Sequence, residues 1–476
     1  MPGAPARNAS RLPLPVRWPA EAWLPLVAGL VWLWTAPGHG VLGFAFTVLP
    51  GCLLLGSGVG MLLFAGDLRI SQFAAAGGVT GFVLGLPAFV FEGFTSGLLL
   101  CALSAAAFVA AGWHTLRLEP HPEDVPPPEP GLALAAEIAC DEAILSTMQI
   151  GVSTPMGSEL ARVRDEIGAA RAHFEAAGWL ERPFDYHATP PAPTDVRLSA
   201  ARVRGIDYEH LRFESGYEPH PGEPGRERWL SYRENRTAHA WVVRTSPERP
   251  WLVCIHGYQM GRPWIDLSAF RPEWLAKSHG LNLLLPVLPL HGPRTKGRRS
   301  GDGYLGGDVL DTIHAQAQAS WDIRRLVSWL RAEGAAGIGV YGLSLGGYNA
   351  ALLAGLEQGL ACVVAGIPAV DFTRLFFRHG PPVQILEAEL HGIEELHMDE
   401  IMRVISPLAL TPRVPRERRY IFGAIADRLV PADQVRDLWR HWERPRIEWY
   451  QGGHLTFPRH AGVRSLVDEA LRAAFA

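Results

Sequence analysis

With 476 residues the chain exceeds what a single hydrophobic core usually serves, so more than one structural region is expected. Its formal net charge of -4 leaves no cationic surplus to neutralise phosphates, which argues against nucleic acid as a partner. The five cysteines, Cys52, Cys101, Cys140, Cys254 and Cys362, are odd in number, widely spaced and mostly set in apolar runs, so they read as small core residues rather than a disulfide framework or a zinc site.

A short tail, 1–20, precedes a strongly apolar region, 21–114. From Ala22 to Ala65 no acidic or basic side chain occurs other than His39, and apolar character resumes over 72–91 and 95–113. A bilayer core about 30 Å thick takes about 20 apolar residues per helix. Breaks at "PGHG" (37–40), "GDLRIS" (66–71) and "EGFT" (92–95) therefore divide the region into four predicted transmembrane helices, the first being the shortest. Hydrophobicity continues far beyond one short run, unlike a cleaved signal peptide. Gly56 with Gly60, and Gly77 with Gly81 and Gly85, recur at four-residue spacing and predict close helix packing into a bundle. No Lys, Arg, Asp or Glu lies within the spans, which favours an anchor over a transporter. Arg7, Arg11 and Arg17 precede the first span, Arg69 lies in the second loop and Arg117 follows the fourth, while the other two loops lack Lys and Arg. The positive-inside bias then places both ends in the cytoplasm, as expected of an inner-membrane protein; three spans in place of four would put the ends on opposite sides.

Residues 115–204 read as a linker with a helical segment. The stretch "LEPHPEDVPPPEPG" is acidic and proline-rich and predicts a semi-rigid spacer. Over 159–180, Leu160, Val163, Ile167 and Phe174 form one helical stripe; the mixed charge elsewhere on this helix favours packing on the following domain over lying on a membrane. From about 205, strand-like runs ("HAWVVRTS", "PWLVCIHGY", "LNLLLPVLPLHG", "GIGVYG", "LACVVAGIPAV", "RRYIFGAIAD", "RIEWYQGG") alternate with helical ones. Such alternation predicts an α/β fold, a mostly parallel sheet with helices on both faces, preceded here by an all-α bundle. Ligands in such sheets bind beyond the carboxyl ends of the strands.

Three polar residues fall at such ends. Ser344 sits in "GLSLGG" between a strand and a helix, where a tight turn would expose its hydroxyl; in a glycine-rich chain the same pattern also arises by chance. A serine hydroxyl needs an imidazole base oriented by a carboxylate. Asp427 follows "RRYIFGAIA", and His454 follows "RIEWYQGG". Among 18 histidines, one taken singly is more often a surface or core residue, but the preceding strand and glycine pair favour a role for His454. An oxyanion needs backbone donors, for which the N–H of Leu345 at the helix start and that of Tyr258 after "CIHG" are the candidates. His256 reads as a turn residue, and "HGIEELHMDE" from His391 as a solvated helix rather than a metal site.

Over 205–476 the chain resembles the alpha/beta-hydrolase superfamily, on "HGY", "PVLPLHGPR", "GLSLGG", "AIADRLVP" and "QGGH" in that order. The resemblance implies Ser344 as nucleophile, His454 as general base and then acid, Asp427 as its orienting carboxylate, and the N–H groups of Leu345 and Tyr258 as oxyanion hole. The "HGGG" of many lipases and esterases is absent from this chain, and Asp371 is an alternative acid. Residues 371–412 resemble the family's lid, with Phe376 and Phe377 either lining an acyl pocket or filling core. The cationic loop 292–308, with Arg294, Lys296, Arg298 and Arg299, is either a solvated loop or a receiver for an anionic headgroup. The expected activity is that of a membrane-anchored serine hydrolase, a carboxylesterase or lipase-like enzyme acting on a small-molecule or lipid ester through an acyl-enzyme, with no cofactor and no metal. The alternatives are a thioesterase, peptidase or acyltransferase on the same triad, or a non-catalytic membrane protein whose hydrolase-like domain only binds.

Overall fold

The computed structural model of the chain describes residues 18–35, 40–149 and 154–475. Arg7, Arg11, Arg17 and His39 lie outside the described residues. The N-terminal region is a helical bundle of α1 (Trp23–Trp34), α2 (Gly40–Leu63), α3 (Ile70–Gly85), a single turn α4 (Ala88–Phe91) and α5 (Phe94–Leu118). The break expected at 66–71 falls between α2 and α3; the span expected over 72–91 is instead divided, because α3 ends at Gly85 before Pro87, and most of the break at 37–40 lies outside the described residues. Two helices, over Phe46–Leu63 and Phe94–Leu118, are long and apolar enough to cross a membrane, while Ala20–Trp34 and Ile70–Gly85 are apolar but shorter.

Small residues bring these helices together, though not all of the expected ones. A Cβ on Gly56 would meet nothing within 4 Å, so this glycine lies away from the seams. Gly77, Gly81 and Gly85 pack as expected, an added Cβ meeting Leu53 Cβ at 3.1 Å, Ser104 Oγ at 2.5 Å and Cys101 Sγ at 2.8 Å, and further close approaches come at Gly29, 2.3 Å from the Leu55 backbone nitrogen, and Gly78, 2.9 Å from the Ser104 carbonyl oxygen. Four-residue spacing therefore identified the packed face of α3 and, at Gly60 but not Gly56, only part of that of α2.

After the bundle come α6 (Leu132–Gln149), which the sequence reading did not single out, and α7 (Ser158–Ala176). The apolar stripe of α7 (Leu160, Val163, Ile167, Ala170 and Phe174) is buried in the larger core of the sheet domain, as its amphipathic pattern predicts.

The sheet has nine strands: β1 (Arg197–Val203), β2 (Ile206–Glu214), β3 (Thr237–Val243), β4 (Trp251–Ile255), β5 (Asn282–Val287), β6 (Ile338–Leu343), β7 (Val363–Gly366), β8 (Arg419–Ala424) and β9 (Arg446–Tyr450), in the order β1-β2-β3-β5-β4-β6-β7-β8-β9. It begins at Arg197, earlier than the boundary at 205, because β1 pairs antiparallel with β2. β1, β2 and β3 form an antiparallel flank, and β4 to β9 run parallel. The connecting helices are α8 (Arg226–Leu230), α9 (Pro263–Phe270), α10 (Val309–Ala332), α11 (Leu345–Leu356), α12 (Phe372–His379), α13 (Pro382–Leu390), α14 (Glu395–Met402), α15 (Ala432–His441) and α16 (Ala461–Phe475).

The period of two in the strands divides their side chains between two cores. Val253, Ile255, Leu284, Val340 and Ile421 join α7, α10, α11 and α15 on one face. Leu252, Cys254, Leu283, Tyr341 and Phe422 join α9 and α16 on the other. Each fully buried aliphatic side chain contributes about 1.5–3 kcal/mol. Both faces being covered explains why the central parallel strands β4, β6 and β7 are continuously apolar. This is the doubly covered, mostly parallel sheet that the resemblance implies.

Candidate active site

β6 ends at Leu343 and α11 starts at Leu345, leaving Ser344 alone in the turn with φ 58° and ψ −114°. A non-glycine residue in this region is strained by about 1–3 kcal/mol and persists only where its surroundings enforce it. The enforcement is visible: the Ser344 N–H donates to the Gly366 carbonyl at 2.9 Å, and the Ser344 carbonyl accepts from Tyr348 N at 3.0 Å. A Cβ on Gly342 would stand 1.9 Å from the Gly346 carbonyl oxygen, and one on Gly346 would stand 1.8 Å from that of Ile255, so neither position admits a side chain without displacing the turn. Residues 341–343 and 345–350 are buried while Ser344 is partly exposed. The elbow thus presents one hydroxyl-bearing residue from a closed surface.

Asp427 and His454 occupy the loops after β8 and β9, which are adjacent strands. Their register brings the two side chains together: His454 Nδ1 lies 2.6 Å from Asp427 Oδ2, and both residues are buried. Asp427 Oδ1 accepts from the N–H groups of Leu429 and Val430 at 2.9 and 2.8 Å, so the whole carboxylate is fixed. Donation from Nδ1 to the carboxylate leaves Nε2 as the lone-pair nitrogen. Burial pulls the His454 pKa down, but the Asp427 charge and hydrogen bond, together with the Asp141 charge, outweigh it and raise the pKa above its ordinary 6.5.

Asp371, the alternative acid, caps α12: its Oδ1 accepts from Arg374 N at 2.9 Å and its Oδ2 from Arg374 Nε at 2.7 Å. Leu345, as the first residue of α11, has no carbonyl within the helix to receive its N–H. Tyr258 follows Gly257, on which a Cβ would lie 3.5 Å from Ser344 Cβ, so the strand end at 256–258 abuts the elbow. The His256 ring is buried, with Nδ1 2.8 Å from the Gly257 carbonyl and Nε2 accepting from Leu288 N at 3.1 Å, which is a role in holding the turn.

The cationic loop 292–308 is not uniformly solvated. Arg294 is fully buried, donating to the carbonyls of Val287 and Asn235 and pairing with Asp322 at 2.9 Å. It is a core cation and no headgroup receiver; its charge is compensated inside the domain. Lys296 stands 3.5 Å over the Tyr232 ring, and Arg299 donates to the Thr147 carbonyl. In the insertion 371–412, Phe376 and Phe377 are partly buried against the larger core and stack edge to face at 5.4 Å.

The sequence reading missed the contribution of α6. Asp141 Oδ2 accepts from His454 N at 2.8 Å and from Arg428 N at 3.1 Å. Glu137 Oε2 accepts from Thr456 Oγ1 at 2.9 Å and from Gly453 N at 3.3 Å. Glu142 Oε1 accepts from Arg428 Nε at 2.7 Å. The available signal was three carboxylates, Glu137, Asp141 and Glu142, set among the apolar residues of one helix, since a buried carboxylate requires a partner.

No family model matches the chain. Two proteins of Mycobacterium tuberculosis, "Uncharacterized protein MT2702" of strain CDC 1551 / Oshkosh and "Uncharacterized protein Rv2627c" of strain ATCC 25618 / H37Rv, are 42% identical to it over 378 residues, covering 79% of this chain and 91% of each relative. Among solved structures, acetyl xylan esterase 1 from a Thermoanaerobacterium species aligns at TM-score 0.45 and 16% identity, covering 63% of this chain and 93% of that one. An acetyl xylan esterase from a Paenibacillus species aligns at TM-score 0.44 and 17% identity, covering 62% and 99%.

Proposed function

The chain belongs to the family of those two mycobacterial proteins, and we propose that it is a membrane-anchored serine hydrolase that cleaves a carboxylic ester through an acyl-enzyme. The observation that carries this reading is the buried Asp427–His454 pair at 2.6 Å, in loops that follow two strands of the same sheet as the strained Ser344 elbow. His454 Nε2 takes the proton from Ser344 Oγ as that oxygen bonds to the ester carbonyl carbon. The resulting oxyanion is held by the N–H groups of Leu345 and Tyr258. Collapse breaks the carbon–alkoxide bond, and the alcohol leaves with the proton from His454. Water then repeats the sequence on the acyl-enzyme, releasing the acid and restoring Ser344.

Anchoring in a bilayer is supported by the outward face of the bundle, where Phe73, Val79, Phe82, Val83, Leu98 and Leu99 are exposed. Such a surface suits hydrocarbon and not water. Arg69, just before α3, and Arg117, at the end of α5, mark the same end of the bundle, and by the positive-inside bias this favours a cytoplasmic side for that end and the sheet domain. A small-molecule or lipid ester reaching the site from the bilayer is the substrate class this arrangement favours.

The test is labelling of the full-length protein by a fluorophosphonate, with Ser344→Ala as control. An adduct that depends on Ser344 supports the reading, and its absence in folded protein favours a binding role without catalysis. Profiling over ester, thioester and amide panels then separates an esterase from a thioesterase or peptidase.

A further inference from the structure

Two loops carry Asp427 and His454, and the side chain that joins them comes from outside the sheet domain. Asp141 of α6 is 1% exposed, and its Oδ2 accepts from the backbone N–H of His454, in the loop after β9, and of Arg428, in the loop after β8. A second carboxylate one helical turn earlier, Glu137, holds Gly453 and Thr456, so the loop is gripped on both sides of His454. Glu142 takes the Arg428 guanidinium, which fixes the other loop.

The reverse side of α6 lies on the bundle. Ala139 is buried in a cluster with Ala22, Met61, Ala74, Ala75 and Ala111. At Gly112 of α5 the two backbones approach so closely that a Cβ would stand 1.8 Å from the Ala135 carbonyl oxygen. One helix therefore touches the bundle with its small residues and both loops of the candidate site with its carboxylates.

A neutral amide would accept the same two N–H groups, so the hydrogen bonds alone do not call for a charge here. The carboxylate is buried near a second one, Asp427, an arrangement that is unfavourable unless a cation forms beside it. Burial and the Asp427 charge push the Asp141 pKa up to about 7, against the opposing His454 charge and the two backbone N–H bonds. The other titratable or charged groups facing it are Glu137, Cys140 and Glu142 on its own helix, Arg428 after β8 and Tyr450 on β9.

We propose that Asp141 is a positioning residue of the Ser344–His454–Asp427 site, which locks the two loops through their backbone and whose charge supports the imidazolium that forms on His454. The proposal rests on the serine-hydrolase reading. Through α6 it makes the packing of the bundle a condition of catalytic geometry.

The experiment compares full-length wild type, Asp141→Asn and Asp141→Ala in hydrolysis of p-nitrophenyl acetate across pH, alongside fluorophosphonate labelling and thermal melting. Asn retains an acceptor oxygen and lacks the charge, so the acid limb of kcat/KM moves to lower pH by about half a unit to one unit, with a loss in kcat of about tenfold. Ala removes the clamp as well and lowers kcat by about a hundredfold, with KM little changed. Should Asp141→Ala fail to fold, the Asn variant decides. Folded Asp141→Asn protein with the wild-type pH profile and kcat overturns the proposal while Ser344 labelling stands. Wild-type protein that neither labels at Ser344 nor turns over ester overturns the hydrolase reading, and this proposal with it.

Discussion

In the sheet domain the large apolar side chains point inward: Val253, Ile255, Leu284 and Val340 are wholly buried between strands and helices. In the N-terminal helices many of the wholly buried positions are small, among them Ala28, Ala74, Ala75, Ala107 and Ala111, while Phe73, Phe82, Phe94 and Leu99 stand outside. The contrast is between a domain that hides its bulk and a helical region that packs through small residues and leaves bulk outside, as the proposed bilayer anchoring requires. Strands in water gain by hiding bulk. Helices in hydrocarbon gain nothing from that and associate through close contact of small residues. α6 belongs to both regimes, with alanines against the bundle and carboxylates against the two loops.

Substitutions sharpen this contrast to different degrees. The largest effect is expected at the polar site of the sheet domain, where Asp427→Asn leaves the imidazole without its charged partner and lowers kcat by about 10⁴-fold with the fold retained, as ester turnover and melting together would reveal. Next, a charge on the outer face of the bundle should block membrane integration: Val79, 43% exposed in the middle of α3, becomes costly by about 3 kcal/mol as Val79→Lys, measurable as the fraction extracted by carbonate. A comparable charge replacing an exposed residue of the sheet domain would cost almost nothing, and equal costs in both places would erase the distinction drawn above.

A smaller effect tests whether the regions are coupled. Gly112→Leu must push α6 from α5, since a Cβ there meets the Ala135 carbonyl, and about a tenfold loss of kcat is expected although residue 112 lies in a bundle helix. Gly56→Ala, with nothing within 4 Å of the added carbon, serves as the matched control with unchanged kinetics. The smallest effect is one of pH. His454 must be unprotonated to act as base, and its pKa is raised, so kcat/KM should fall with decreasing pH through a midpoint above 6.5. A midpoint below 6.5 would mean that burial, which acts the other way, dominates the site.

Much of the fold was legible because its rules act over a few residues. The runs 251–255 and 338–343 are short, apolar and followed by turn residues, and each forms a strand. The elbow was legible because only glycine fits at 342 and 346, and the order of Ser344, Asp427 and His454 at strand ends followed from the alternation of elements. Arg294 misled, since four nearby cations suggest a solvated loop, and a buried Asp322 on a distant helix is needed to explain it. Gly56 misled for a related reason: a repeat of four residues defines a stripe on a helix, and the neighbours decide whether the stripe is covered.

From its residues alone the chain determined an apolar helical region, a period-two sheet with helices on both faces, and one strained serine turn, because periodicity and backbone sterics are local properties. Tertiary structure alone decided that His454 would meet Asp427 and that Asp141 would reach the loops after β8 and β9. These contacts span tens to hundreds of residues, and they form only when the burial of α6 and the strand order bring distant segments to one end of the sheet.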